Sequence, residues 1–360
     1  MPRDEFCVLT VNPGSTSTKI AVFAGEQPEC VRNVEHAEAE LAAFRGRPVL
    51  EQLPFRLAAI EAVLRGAGYA LAGFKAVAGR GGLMRPVVSG TYRINEALLD
   101  DLRRAPFGEQ HASNLGAFLA VALAQHGGAQ AFVVDPVSVD EFTEKARISG
   151  SALVERRSLS HALNTKAVAR RYARERGSAY EDLRLVIAHL ASGISVSAHR
   201  GGRMVDVNLA GQEGAFSTER SGSLQLLGVV GLCFSGRYTE SALWDAFIRE
   251  GGIYSYLGTK DLREVERRIG AGDARAALVF DAMAYQIAKD IGAMATVLEG
   301  RVNAILLTGG MARSEKLIAA IREAVEWIAP VAVYPGEDEL QSLAEGALRV
   351  LRGEETAREL

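Results

Sequence analysis

Cysteine is scarce in these 360 residues: Cys7, Cys30 and Cys233 are scattered, odd in number and without metal-ligand spacing. A disulfide framework and a cysteine-based zinc site are therefore not expected. Long apolar runs are missing as well. None approaches the ~18–20 residues that a bilayer span requires, so no membrane partner is expected. The opening Met1-Pro2-Arg3-Asp4-Glu5 sets acids before a first apolar run that ends at Asn12. A secretory signal needs a longer apolar stretch, and a cytoplasmic location is the expectation. Nor is there a basic surplus: 41 Lys+Arg stand against 44 Asp+Glu, a net charge of −3. That balance speaks against a nucleic-acid partner. The pair Arg170-Arg171, with Glu175 nearby, reads as a solvated helix face. No Gly-x-x-x-x-Gly-Lys-Ser/Thr occurs, which excludes a P-loop, and no Gly-x-Gly-x-x-Gly follows the first apolar run, which weakens a dinucleotide site.

Glycine, by contrast, is plentiful at 37 residues, about one in ten against a usual ~7%. The glycines gather in short loops between apolar runs, where backbone turns sharply or approaches a ligand. The chain length suits two domains of about 150–200 residues.

Two segments share one design. In the first, Cys7-Val8-Leu9-Thr10-Val11 leads through Asn12-Pro13-Gly14-Ser15-Thr16-Ser17-Thr18 into Lys19-Ile20-Ala21-Val22-Phe23. In the second, Leu185 to Leu190 leads through Ala191-Ser192-Gly193 into Ile194 to His199. Each predicts a β-hairpin with a polar, small-residue tip, and the pair suggests two related domains facing each other across a cleft. Helices are predicted over 53–68, 96–104 with Asn95 as cap, 114–126, 158–174 carrying His161, 276–298, 314–327 and 339–351. Strands are predicted at 74–78, 131–134 and 304–307. Alternating strands and helices point to α/β layers with mixed sheets.

Four small-residue loops follow strands, at 12–18, 79–82, 191–193 and 308–312. Ligands of α/β folds sit at strand ends, where loop amides hold anions, so four such loops together favour a phosphate-handling cleft. The first loop carries five polar side chains (Asn12, Ser15, Thr16, Ser17 and Thr18) with Lys19 next. A plain hairpin needs only an Asn-Gly or Asp-Gly pair.

Asn12-Pro13-Gly14-Ser15-Thr16-Ser17-Thr18-Lys19 resembles the N-terminal motif of the acetokinase family. Gly79-Arg80-Gly81-Gly82, His111-Ala112-Ser113-Asn114-Leu115-Gly116, Val134-Asp135-Pro136-Val137 and Arg147-Ile148-Ser149-Gly150 agree in order and spacing. So do His161-Ala162-Leu163-Asn164, Leu307-Thr308-Gly309-Gly310 and Tyr334-Pro335-Gly336-Glu337-Asp338-Glu339. The match spans essentially the whole chain. The resemblance implies two duplicated actin-like ATPase (ribonuclease H-like) domains, with mixed sheets, flanking helices and a cleft between them. Residues 1–150 plus about 338–360 would bind acid and phosphoryl group; residues 151–337 would bind nucleotide.

The resemblance also implies roles. ATP or ADP would be the nucleotide and Mg2+ the metal. Asn12, Ser15, Ser17 and Lys19 would approach the transferred phosphoryl group, and His189, Ser192, Gly193, Gly309, Gly310 and Met311 would border the nucleotide. Arg80 and Arg220 would grip the carboxylate and the moving phosphoryl, because catalysis of this transfer is mainly positioning and cationic stabilisation. His161 resembles the family's transition-state histidine; a lone helical histidine is otherwise more often structural. Asp135 resembles the carboxylate that positions magnesium or substrate, with a turn cap as the alternative. Glu337 or Glu339 resembles the magnesium-linked C-terminal glutamate, the register being ambiguous.

The chain departs from the family pattern in three places. His189-Leu190-Ala191-Ser192-Gly193 puts two Cβ atoms where the family usually has glycines, which predicts weaker ATP binding. Two prolines expected after Gly214 and Ser217 are missing. Ser160 replaces a common aromatic before His161, and is expected to face the acyl chain. The implied activity is reversible, in-line, ATP-dependent phosphorylation of a short- or branched-chain, butyrate-like carboxylic acid, by a homodimer or higher homo-oligomer. The competing expectations are a related phosphohydrolase and a degenerate ATP-binding member without turnover.

Overall fold

Val8 to Pro13 and Leu185 to Leu190 are buried along their whole length, which explains their continuous apolar runs: helices cover both faces of the sheet each one belongs to. The computed structural model describes residues 6–104, 112–209 and 212–360, so His111 lies outside the described residues. The strands are β1 (Cys7–Pro13), β2 (Ser17–Ala24), β3 (Gln27–Glu35), β4 (Ala76–Gly79), β5 (Thr91–Arg93) and β6 (Gln130–Val134), then β7 (Arg184–Leu190), β8 (Ile194–Arg200), β9 (Arg203–Val207), β10 (Ala304–Gly309) and β11 (Val331–Pro335). They form one sheet in the order β3-β2-β1-β4-β6-β5 and another in the order β11-β10-β7-β8-β9. In the first, β1, β2 and β3 make an antiparallel meander and β4 and β6 run parallel to β1. In the second, β7, β8 and β9 make the meander and β10 and β11 run parallel to β7. Apart from the short antiparallel edge strand β5, the two sheets repeat one topology.

The chain divides into two compact units, Met1–Val139 with Asp338–Leu360 and Asp140–Glu337. Residues 140–150, expected in the first domain, belong to the second. Local bonds hold them there: Thr143 N–H donates to the Val205 carbonyl at 3.1 Å, Arg156 Nη1 to the Ala146 carbonyl at 2.5 Å and Lys166 Nζ to Glu141 at 2.6 Å.

In the first unit the helices Leu53–Gly66 and Leu115–Gly127 set Ile60, Leu64, Leu115, Leu119 and Leu123 against Leu9, Val11, Ile20 and Val22. In the second, the helix Ala274–Val297 packs Phe280, Met283, Ile287 and Ile291 onto one face of the sheet, while Ala162–Glu175 packs Val168, Ala169 and Tyr172 against Leu185, Ile187 and Leu306. Each Val, Leu, Ile, Phe or Met among them contributes about 1.5–3 kcal/mol by leaving water. The helix expected over 158–174 starts four residues later, because His161 has φ −81° and ψ 51° and stands at the N-cap. The helix expected to reach Gly68 ends at Gly66, and the strand expected from Phe74 starts at Ala76. No helix among the described residues is long and apolar enough to cross a membrane.

Candidate active site

In the first unit the loops after β1 and β4 leave from the C-terminal ends of adjacent parallel strands, where Val11 pairs with Gly79. The β1–β2 hairpin pairs Asn12 with Lys19 and closes when Gly14 N–H donates to the Ser17 carbonyl at 2.8 Å. Ser15 and Thr16 at its tip, and Lys19, are exposed. Arg80 takes its place through its own N–H, which donates to the Val11 carbonyl at 2.9 Å. The glycines around it are packing devices. A Cβ on Gly79 would meet the Gly116 carbonyl and one on Gly116 the Arg80 carbonyl, so the helix Leu115–Gly127 lies directly on this loop. A Cβ on Gly81 would lie 2.5 Å from Pro136 Cβ. Arg80 is thereby the one long side chain the loop presents.

Arg80 Nη1 pairs with Glu339 Oε1 at 2.6 Å and lies 3.4 Å from Asn12 Oδ1, while Asn12 Nδ2 donates to Glu339 Oε2. Three predicted site residues from β1, the β4 loop and the start of the helix Glu339–Leu351 thus form one cluster. Asp135, at the end of β6, is buried with φ +37°, a conformation few non-glycine residues adopt. Its Oδ1 accepts from Ser89 Oγ at 2.5 Å and from Gly90 N–H at 2.8 Å, so the carboxylate caps a turn.

In the second unit His189 of β7 pairs with Ser195 of β8. The imidazoles of His161 and His189 stack with centroids 3.9 Å apart and planes 14° from parallel. His161 Nδ1 lies 3.0 Å from Ser195 Oγ, and His189 Nδ1 lies 2.8 Å from Asn164 Oδ1. Asn164 Nδ2 donates to the Glu337 carbonyl at 2.8 Å, and the Glu337 carboxylate lies 3.8 Å from His189 Nε2. The 191–193 turn is held by Ser217 Oγ, which donates to the Ser192 carbonyl and accepts from Arg220 N–H at 3.1 Å. The Arg220 guanidinium lies against Gly193, where a Cβ would come 2.7 Å from Nη1. Burial pushes the Arg220 pKa down, with the Glu219 charge opposing. Gly309 has φ +92° and presses on Leu190, where a Cβ would meet the backbone, whereas a Cβ on Gly310 would meet nothing within 4 Å. The exposed Gly310 and half-buried Met311 follow β10 directly.

Asn12, Ser15, Ser17, Lys19, Arg80, Asp135 and Glu339 therefore belong to the first unit, and His161, His189, Ser192, Gly193, Arg220, Gly309, Gly310, Met311 and Glu337 to the second. The two candidate glutamates part company: Glu339 joins Arg80 and Asn12, while Glu337 joins the histidine pair. Among the described residues no three His, Cys, Asp or Glu side chains gather as a metal site. Ser160, expected near the acyl chain, is buried with its hydroxyl 3.5 Å from Met204 Sδ. Sequence reasoning passed over Asn164, Ser195, Ser217 and Arg56. Asn164 was detectable, since it stands three residues after His161 and shares its helix face. Arg56 was detectable too, at the i, i+4, i+8 spacing of the buried Arg56, Ile60 and Leu64.

A sequence profile described as the acetokinase family matches residues 150–333. A Listeria monocytogenes serotype 4a protein described as a probable butyrate kinase is 51% identical over 355 residues, 98% of this chain and 99% of that one. The chain belongs to the acetokinase family. It is a carboxylate kinase by that membership. Among solved structures, the acetate kinase of Porphyromonas gingivalis matches with a TM-score of 0.77 at 19% identity, covering 96% of this chain and 100% of that one. The acetate kinase of Entamoeba histolytica matches with a TM-score of 0.75 at 16% identity, covering 94% and 98%. These likenesses establish the acetokinase fold, with its actin-like pair of α/β units.

Proposed function

We propose that the protein transfers the γ-phosphoryl group of ATP, in line and reversibly, to a carboxylate of four or more carbons, straight or branched. The Asn12–Arg80–Glu339 cluster beside the hydroxyl-rich turn carries this reading. A carboxylate acceptor and a phosphoryl group both call for guanidinium forks, which stay protonated and offer paired donors. A carboxylate oxygen attacks the γ-phosphorus, the bond from that phosphorus to the β–γ bridging oxygen breaks, and ADP leaves with the electron pair. Arg80 holds the acid and the incoming oxygen, while Lys19 and the Ser15 and Ser17 hydroxyls meet the phosphoryl oxygens. Arg220 neutralises charge that builds on the nucleotide side, and its half-buried, partly desolvated position strengthens that interaction. We assign His161 Nδ1, 3.0 Å from the Ser195 hydroxyl, as the acceptor of that hydroxyl, so that Nε2 carries the proton and offers it to a phosphoryl oxygen.

The units divide the work, the first handling acid and phosphoryl group and the second the nucleotide through His189, Ser192, Gly193, Gly309, Gly310 and Met311. Mg2+ needs only one or two protein carboxylates besides phosphate oxygens. Glu339 would hold it, and it would supply charge neutralisation on the phosphates. The 51% relative described as a probable butyrate kinase supports a butyrate-like acid. A phosphohydrolase has water as its acceptor, which carries no charge for a guanidinium to grip, whereas a carboxylate acceptor does. We also infer a cytoplasmic protein and a homo-oligomer. The helix Leu226–Cys233 buries none of its apolar residues, and such patches mark interaction sites. Sedimentation of the purified protein checks the second inference, a monomer contradicting it.

Incubating the enzyme with ATP and straight, branched or aromatic acids, and trapping acyl phosphate as hydroxamate, tests the activity. Hydroxamate with four-carbon acids is the expected result; ADP formation that ignores every acid would contradict the reading.

A further inference from the structure

Among the described residues Arg56 is the largest fully buried side chain, and no carboxylate is among its hydrogen-bond partners there. It rises from the helix Leu53–Gly66 behind the β1–β2 turn. Nη1 donates to the Gly14 carbonyl at 2.9 Å, the Ser17 carbonyl at 3.2 Å and Thr18 Oγ1 at 3.0 Å. Nη2 donates to the Ser15 carbonyl at 3.1 Å, and Nε to Gln52 Oε1 at 3.0 Å. Thr18 Oγ1 in turn lies 2.9 Å from His36 Nε2. A buried charge without a counter-ion is costly, and burial pushes this guanidinium down to about 10, still protonated at neutral pH.

A carbonyl and the N–H that follows it point in opposite directions across a planar peptide. Pinning the Gly14 and Ser15 carbonyls inward therefore turns the N–H groups of Ser15 and Thr16 outward. Neither donates to a backbone carbonyl among the described residues. Successive outward N–H groups form an anion-binding concavity, and a cation just behind them deepens its potential. We propose that Arg56, buried behind the turn, is a positioning residue that aims the Ser15 and Thr16 amides at the transferred phosphoryl group. The planar fork does what an ammonium cannot, because several carbonyls must be gripped at once. This assignment rests on reading the turn as the phosphoryl site.

The test compares Arg56→Lys and Arg56→Gln with the unmodified protein, following kcat, both KM values, and the Ser15 and Thr16 amide resonances during titration with inorganic phosphate. We expect folded variants with kcat lowered about 10–100-fold and KM values within threefold. Their Ser15 and Thr16 phosphate response should be weakened at least tenfold, and lysine should fail to rescue. Folded variants with unchanged kcat and phosphate response would overturn the proposal. Should neither variant fold, Gln52→Leu loosens the same fork more gently and should lower kcat about 3–10-fold; an unchanged kcat overturns the proposal there. If the unmodified protein makes no acyl phosphate yet its turn responds to phosphate through Arg56, the kinase reading fails and the positioning role stands. No phosphate response at all in the unmodified protein would overturn the positioning role.

Discussion

The turn between β1 and β2 is gripped by a buried guanidinium and flanked by the Arg80–Glu339 ion pair, whereas its counterpart between β7 and β8 is held by a serine hydroxyl and by glycine packing. Apart from β5 the sheets beneath them share one strand order, so the contrast comes from the loops and from the helices that reach them, Leu53–Gly66 with Arg56 and Glu339–Leu351 with Glu339. One topology can carry an arginine–carboxylate cluster at one set of strand ends and, at the other, a turn of small residues bordered by Arg220 and the histidine pair. That division suits phosphoryl transfer, where moving charge needs fixed cations and a nucleotide needs backbone it can approach closely.

The sharpest way to break the comparison is to remove a cation from each side. Arg80→Ala and Arg220→Ala should each lower kcat by about 10²–10⁴-fold, as loss of a preorganised charge does. Near-normal steady-state turnover in either folded variant would remove that arginine from the mechanism. Packing comes next. Gly116→Ala drives a Cβ into the Arg80 carbonyl, and Gly309→Ala drives one into Leu190 from a left-handed backbone, so each should cost about 1–3 kcal/mol of stability in denaturant titrations. Gly310→Ala meets open space and should leave stability within about 0.5 kcal/mol. An equal loss at Gly309 and Gly310 would contradict the packing described for the β10 loop.

Each unit also buries a neutral imidazole, His36 in the first and His199 in the second. Burial lowers both pKa values, His199 well below its ordinary value, with Arg56 adding to the effect at His36 and Lys166 and Arg170 at His199. The folded state thus binds fewer protons than the unfolded one. Stability from these groups is full above about 6.5, the unfolded imidazole value, and falls as the pH drops from there towards the folded values. At His199, Nδ1 lies 2.6 Å from the Tyr180 hydroxyl and Nε2 2.8 Å from the Ser197 hydroxyl, so protonation makes both nitrogens donors and forces this buried network to rearrange. Melting temperature should therefore fall between pH 7 and pH 5, less steeply in His199→Gln; identical slopes would discount His199. The smallest effect belongs to the 191–193 turn. Restoring glycine at Ala191 and Ser192 should tighten ATP binding about 3–10-fold by calorimetry, against a chain-flexibility cost of about 0.5–1 kcal/mol per site. Unchanged or weaker affinity would mean that this turn does not approach the nucleotide.

Periodicity made the hairpins, the parallel strands and the long helices legible, because their apolar positions repeat on one face. It failed where burial is sparse or complete exposure removes the pattern. β3 buries only Cys30 and Val34 among polar residues, as an edge strand does, and the helix Leu226–Cys233 is apolar throughout yet buries nothing. Among the site residues, Arg80 stood out because glycines surround it. Arg56 did not, since an arginine in a helix ordinarily faces water, and only its register with Ile60 and Leu64 reveals the burial. The choice between Glu337 and Glu339 could not be made from spacing, because the chain passes from one unit to the other between them.

The central claim is that a carboxylate accepts the phosphoryl group. Counting hydroxamate formed against ADP released by the unmodified enzyme, with butyrate and then acetate at saturating ATP, tests it most directly. The account predicts one hydroxamate per ADP and a kcat/KM roughly tenfold or more higher for butyrate, from two extra buried methylenes at about 0.8 kcal/mol each. ADP release without matching hydroxamate, at a rate indifferent to the acid, would contradict it.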